Sequence, residues 1–196
     1  MIIWLNGSFG VGKHQVAYEL QRRLAKGFVY HPERVGRFIN QQLPTDLQKT
    51  SYRDYPEWRQ WNIELLQRIS QKSDQVILLP LALAQPEYIA EITDALREAD
   101  IEVHHYLLTA EPQTIKQRLQ LRGSLTNLLT LAQLEKEPLT FDHELFANVL
   151  KTDQRSIAEI ADFIAKDCHL RIHPAPAHKS LQALLQIGDY LKSWCS

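Results

Sequence analysis

The first two dozen residues hold a short apolar run, a glycine-rich loop and an amphipathic helix in direct succession. Ile2, Ile3, Trp4 and Leu5 are continuously apolar, the pattern of a strand buried on both faces of a parallel sheet. Gly7, Gly10 and Gly12 follow, and Lys13 closes the loop. Val16, Leu20 and Leu24 then recur at four-residue spacing, with Ala17 widening the stripe. That spacing predicts a helix, with a stop signal at Lys26-Gly27. Such an opening commits the chain to layered α/β architecture, because a strand buried on both faces needs helices above and below it.

The loop, Gly7-Ser8-Phe9-Gly10-Val11-Gly12-Lys13-His14, carries the G-x-x-x-x-G-K core of a Walker A motif. Each part has a physical task. Glycines let the backbone turn several N–H groups toward one point, an anion nest. The helix that follows adds the partial positive charge of its N-terminus. Lys13 supplies an ammonium for the outer phosphates of a nucleotide. The position after the lysine ordinarily holds a Ser or Thr hydroxyl for Mg2+, and here it is His14. Mg2+ is a hard ion that favours oxygen ligands. The sequence therefore predicts ATP or a related nucleotide as ligand, with doubtful Mg2+ binding.

Strand and helix signals alternate along the rest of the chain, predicting a parallel sheet. Further strands are expected at Phe28–Tyr30, Val76–Leu79, Ile101–Leu108 and Ala147–Leu150. Helices are expected from Pro32 to about Gln42, from Pro56 through Ile69, from Pro86 through Leu96, and over Glu111–Arg122. Ser156-Ile-Ala-Glu159 reads as a capping box opening another helix. A polar stretch of weak periodicity, about 123–145, is a candidate lid or an ordinary surface excursion. A last amphipathic helix is expected over about 178–193, and the whole of 1–196 is read as one domain.

In an open α/β sheet, ligands bind beyond the carboxyl ends of the strands. Arg118 and Arg122 are four apart on one helix face and could grip a triphosphate opposite Lys13, as candidate catalytic residues; a solvated basic face is the plain alternative. Arg34, Arg37, Trp58 and Arg59 are candidate substrate-binding residues, although at least one of Trp58 and Trp61 is expected in the core. His104 and His105 should point to opposite faces of their strand. Cys168, His169, His173 and His178 match no familiar zinc spacing, and no residue is assigned as a metal ligand. His14 and His31 remain open as a transition-metal pair. A net charge of −1 gives no basic excess for nucleic acid, and no apolar run approaches the length of a membrane span. Two distant, unpatterned cysteines and the lack of a leader-like segment point to a cytoplasmic protein.

Read together, the residues resemble the tunicamycin-resistance proteins, a branch of the P-loop NTPases akin to small-molecule kinases. The resemblance runs through Ile2–Lys13, Tyr30-His-Pro-Glu-Arg-Val-Gly36, Asp54-Tyr-Pro-Glu-Trp-Arg59, His104-His105, Arg118-Leu-Gln-Leu-Arg122, and Lys151-Thr-Asp153 with Ser156. It implies a kinase-like three-layer α/β/α fold with a five-stranded parallel sheet, ATP binding, an arginine-bearing lid and a link to antibiotic resistance. It implies a small hydroxylated molecule or nucleoside antibiotic as second ligand. This chain departs from that pattern at His14, where Thr is usual, and at His31, where Asp is usual. It departs again at Leu81-Ala82-Leu83, where a hydroxyl is common, and at Leu134-Glu135-Lys136, where an arginine is expected. Either a phosphotransferase or weak ATPase with impaired metal use, or a non-catalytic nucleotide or antibiotic binder, fits these departures. The sequence leaves oligomeric state open.

Overall fold

The computed structural model describes residues 1–121, 141–142 and 146–175. Most of the candidate lid, Arg122, and the last predicted helix lie outside the described residues. Five strands, β1 (Ile2–Asn6), β2 (Gly27–Val29), β3 (Val76–Leu79), β4 (Val103–Thr109) and β5 (Asn148–Lys151), form one sheet in the order β2-β3-β1-β4-β5. Every pairing is parallel. The helices between them are α1 (Lys13–Arg23), α2 (Pro32–Gln42), α3 (Pro56–Lys72), α4 (Pro86–Glu98), α5 (Pro112–Leu121) and α6 (Ile157–Asp167).

The alternation of β1 decides the layers. Ile3 and Leu5 face one core with Val16, Leu20, Ile160 and Ile164, from α1 and α6. Ile2 and Trp4 face the other with Trp58, Leu66, Ile89 and Ile92, from α3 and α4. Both faces of β1 are thus covered, and all five of its residues are buried. The expected three-layer α/β/α architecture and five-stranded parallel sheet are present.

Prolines set several boundaries. Pro32, Pro56 and Pro86 stand at the first positions of α2, α3 and α4, where a missing N–H costs no intrahelical bond. At α6, Ser156 accepts from the Glu159 N–H while the Glu159 side chain receives the Ser156 N–H, so the capping box is formed. Some edges shift from expectation. α1 ends at Arg23, with Leu24 extended and bridged to Ile172, so the chain leaves the helix before Lys26-Gly27. β4 begins at Val103 rather than Ile101, which is buried beside the turn from α4.

α1 and α6 are joined by charge as well as by packing. Arg23 pairs with Asp162 and donates from Nε to the His173 carbonyl at 2.7 Å. Glu19 lies 3.6 Å from Arg23 and also pairs with Arg22. Among the described residues, no helix is long and apolar enough to cross a membrane.

Candidate functional site

β1 delivers the loop at the carboxyl edge of the sheet, in the middle of the strand order. Asn6, the last residue of β1, fixes its start. The Asn6 Oδ1 accepts from the Gly7 N–H at 2.8 Å and from the Leu83 N–H at 2.9 Å, and its Nδ2 donates to the Leu83 carbonyl at 2.8 Å. One buried amide therefore ties the loop to the chain leaving β3. Trp4 adds a second tie, from its Nε1 to the Leu81 carbonyl at 3.0 Å. Leu81, Ala82 and Leu83, which replace the polar residues anticipated there, are all buried.

Gly7, Gly10 and Gly12 have φ of 131°, 82° and 102°. At Gly7 the need is absolute, since a Cβ would stand 2.2 Å from the Leu108 carbonyl oxygen of β4. Gly12 is the N-cap of α1; no side chain caps that helix, and its first turn holds no acidic residue. The N-terminal dipole is thus left for an anion. Lys13 is buried and its Nζ donates to the Gly7 and Ser8 carbonyls, each at 2.9 Å. Its ammonium also stands 5.7 Å from the Phe9 ring centre. The loop from Gly7 to His14 is folded as a compact turn, with Val11 buried beneath it.

Arg118, on α5, reaches the same loop. Its Nη1 donates to Thr152 Oγ1 at 2.9 Å and lies 3.5 Å from the Val11 carbonyl, while Nη2 donates to the Thr152 carbonyl at 2.8 Å. The guanidinium therefore clamps the end of β5 to the loop. Arg122 lies outside the described residues.

On the opposite flank, α1 and α2 bring three side chains together. His14 opens α1, His31 is the N-cap of α2, and Glu33 lies in the first turn of α2. His31 Nδ1 is 3.0 Å from Glu33 Oε1, and its Nε2 is 3.2 Å from the Tyr18 hydroxyl. His14 Nε2 is 3.9 Å from the same Glu33 oxygen, an ion-pair distance rather than a hydrogen bond. The two imidazoles are nearly parallel, at 15° with ring centres 6.2 Å apart. Burial pulls the His14 pKa below the ordinary histidine value, and the nearby Lys13 charge adds to that, against the pull of Glu33. For Glu33, burial acts upward, but contacts from His14 and His31 and its own backbone prevail and hold the carboxyl well below the usual carboxylate range.

The four residues expected to contact substrate are dispersed. Trp58 is fully buried and donates from Nε1 to the Pro32 carbonyl at 2.8 Å. Arg59 is spent on Glu91 at 2.5 Å, the Arg53 carbonyl at 2.8 Å, and the face of Tyr88 at 4.1 Å. Trp58 holds α3 to the start of α2, and Arg59 holds it to α4 and to the turn before α3. Arg34 lines a groove of 720 Å³ with Phe38, Trp61 and Leu65, between α2 and α3. Arg37 is exposed near the histidine cluster: its charge, with those of Arg53 and Glu33, acts on the Tyr52 hydroxyl, whose pKa burial raises.

Two residues of the site escaped the sequence reading. Glu33 is two positions from His31 across a proline, a His-x-Glu spacing that brings both tips to one helix start. Asn6 was given no role of its own there; its polar identity at the end of an apolar strand was the available signal. His104 and His105 do point to opposite faces. His105 stacks on Trp4 at 4.2 Å, and burial lowers its pKa to about 3, so it is a neutral packing residue. Among the described residues, Cys168, His169 and His173 form no metal-binding group.

No family model matches the sequence, and no curated protein matches it. Solved structures do. The tunicamycin resistance protein of Deinococcus radiodurans superposes with a TM-score of 0.70 at 23% identity, covering 89% of this chain and 99% of that one. A sugar kinase from Janibacter gives 0.62 at 15% identity, covering 86% and 94%. The APS kinase of Mycobacterium tuberculosis, solved in complex with AMPPNP and APS, gives 0.58 at 18% identity, covering 86% and 96%. The chain has the P-loop kinase fold. The resemblance to tunicamycin-resistance proteins holds at the level of that fold.

Proposed function

We propose that this chain binds ATP through Gly7, Ser8, Phe9, Gly10, Val11, Gly12, Lys13 and His14, as a P-loop protein of the small-molecule kinase type. The observation that carries this reading is the nest itself: three positive-φ glycines, an uncapped helix start and a buried lysine around one point. Backbone N–H groups and Lys13 would hold the phosphates, and ATP would supply the transferable phosphoryl group. Arg118 would keep the loop in shape from β5, and its charge would favour phosphate nearby. Arg37, with Arg53 and Tyr52, would receive a small hydroxylated acceptor or a nucleoside antibiotic. In keeping with the structural neighbours, the reading extends to antibiotic resistance of the tunicamycin type.

The residues present do not fit Mg2+. His14 and His31 offer nitrogen where the fold ordinarily offers oxygen, and Glu33 is paired with both. Imidazole is a ligand of borderline metals, not of hard ones. That mismatch favours a second reading, in which the protein sequesters nucleotide or antibiotic without turnover.

Calorimetric titration with ATP, with and without Mg2+, tests both readings. Saturable ATP binding without metal, lost by about 30- to 100-fold in Lys13→Ala, is expected for a charge-assisted contact of about 2–3 kcal/mol. ATP consumption with a hydroxylated acceptor separates transferase from binder. His14→Thr should raise the dependence of binding on Mg2+. An unchanged affinity in Lys13→Ala would remove the basis for nucleotide binding at this loop.

A further inference from the structure

The cluster of His14, His31 and Glu33 answers to a different chemistry from the loop beside it. Among the described residues it is the group of histidine, cysteine and acidic side chains that can close on one ion: one ligand atom from each lies within 4.8 Å of the other two. We propose that these three residues form a binding site for a borderline divalent transition metal, with zinc as the type ion.

Three observations support it. The first is spacing. Zinc bonds to imidazole nitrogen and carboxylate oxygen are about 2.0–2.1 Å, so tetrahedral ligand atoms stand about 3.4 Å apart. The contacts of Glu33 Oε1 with His31 and His14, at 3.0 and 3.9 Å, bracket that edge.

The second is the outer partner. The Tyr18 hydroxyl holds His31 Nε2 at 3.2 Å and leaves Nδ1 toward Glu33. Metal-bound histidines characteristically have such a partner on the far nitrogen, which fixes ring and tautomer. Nδ1, 3.0 Å from Glu33 Oε1, either donates its proton to the carboxylate or, with the proton on Nε2, offers its lone pair to a cation that the same carboxylate can share.

The third is access. The His31 side chain is 8% exposed while that of His14 is about one-third exposed, giving the ion an entry from solvent. Three protein ligands leave a further position for water or an anion oxygen, as in open zinc sites. The Lys13 ammonium, next in sequence to His14, opposes the ion's charge, but its Nζ is turned to the Gly7 and Ser8 carbonyls.

The test uses full-length, chelator-treated protein without nucleotide, so its outcome is independent of ATP binding. Zinc titration should show one tight equivalent. His14→Thr, His31→Ala and Glu33→Gln should each weaken it by about a hundredfold, and Tyr18→Phe by about tenfold, the range for outer-partner losses. Cobalt added to the wild type should give the intense visible absorption of a four- or five-coordinate site, a readout that needs no variant. Zinc bound equally by wild type and by His14→Thr or Glu33→Gln would overturn the proposal. So would a weak, six-coordinate cobalt spectrum, or Mg2+ competing with zinc at equal concentration.

Discussion

The two flanks of the candidate site are built on opposite principles. The glycine loop is made by backbone: its shape follows from positive φ at three glycines and close contact with β4, and its side chains matter chiefly at Lys13. The histidine cluster is made by side-chain tips, carried at the starts of α1 and α2. On the proposed reading, the first flank would cradle phosphate whatever most of its side chains are, while an imidazole in place of a hydroxyl on the second would redirect metal chemistry and leave the loop in shape.

The sharpest way to break the contrast is Gly7→Ala. The new Cβ would meet the Leu108 carbonyl oxygen at 2.2 Å, at a φ of 131° that side chains rarely adopt. A cost of roughly 3–5 kcal/mol is expected from clash and strain together, lowering Tm by about 6–20 °C, and ATP should no longer raise Tm. His14→Thr should move Tm far less. Equal shifts in the two variants would show that the loop is no more backbone-defined than its neighbour.

The fold was legible because its signals are local. Ile2–Leu5 and Val76–Leu79 are apolar without interruption, which only a doubly covered strand tolerates. The prolines at 32, 56 and 86 and the box at Ser156 mark helix starts by chemistry of a few adjacent residues. The site was legible only where it is equally local, from Gly7 to His14. Trp58 and Arg59 look like ligand-binding residues by type, yet they are absorbed by Pro32, Glu91 and Tyr88. Those partners lie 26 to 32 positions away for the two hydrogen bonds. No periodicity announces such contacts. Glu33 was hidden for the same reason: its meaning depends on His14, which the starts of α1 and α2, helices of opposite cores, bring to 3.9 Å.

Arg118 gives a middle-sized test, since it belongs to neither principle outright. It is a side chain, but it holds backbone: the Thr152 carbonyl at 2.8 Å and, more loosely, the Val11 carbonyl at 3.5 Å. Arg118→Ala should cost about 1–2 kcal/mol, the worth of its charge-assisted hydrogen bonds in a partly exposed setting. Arg118→Lys keeps the charge and loses the planar fork. If the fork is what matters, Lys should destabilise nearly as much as Ala while leaving ATP affinity near wild type. Full recovery of stability by Lys would instead make Arg118 a simple charge near the phosphates.

The last test, Glu33→Gln, is read from its pH dependence, which sharpens the comparison most. The carboxyl has a folded pKa below its ordinary value of 4.5. Its contribution to stability is therefore present above about pH 4.5 and is lost as pH falls through the folded value. His105 acts with the same overall slope but in a different window. Its pKa drops from 6.5 to about 3, so acidification below 6.5 costs the native state in wild type and variant alike. Subtracting the two stability curves removes the His105 contribution. The remaining difference should be a plateau at neutral pH, altered where His14 takes its proton because Glu33 pulls that pKa upward, and should close toward zero as the carboxyl is protonated, as measured by urea unfolding at each pH. In nucleotide-free protein, adding zinc should raise the plateau for the wild type but not for the variant. A Gly7→Ala protein should show the same Glu33-dependent difference from its own Glu33→Gln partner, because the carboxylate depends on His14 and His31 and not on the curvature of the loop. Loss of that difference in the Gly7 background would mean that the two flanks are one cooperative unit.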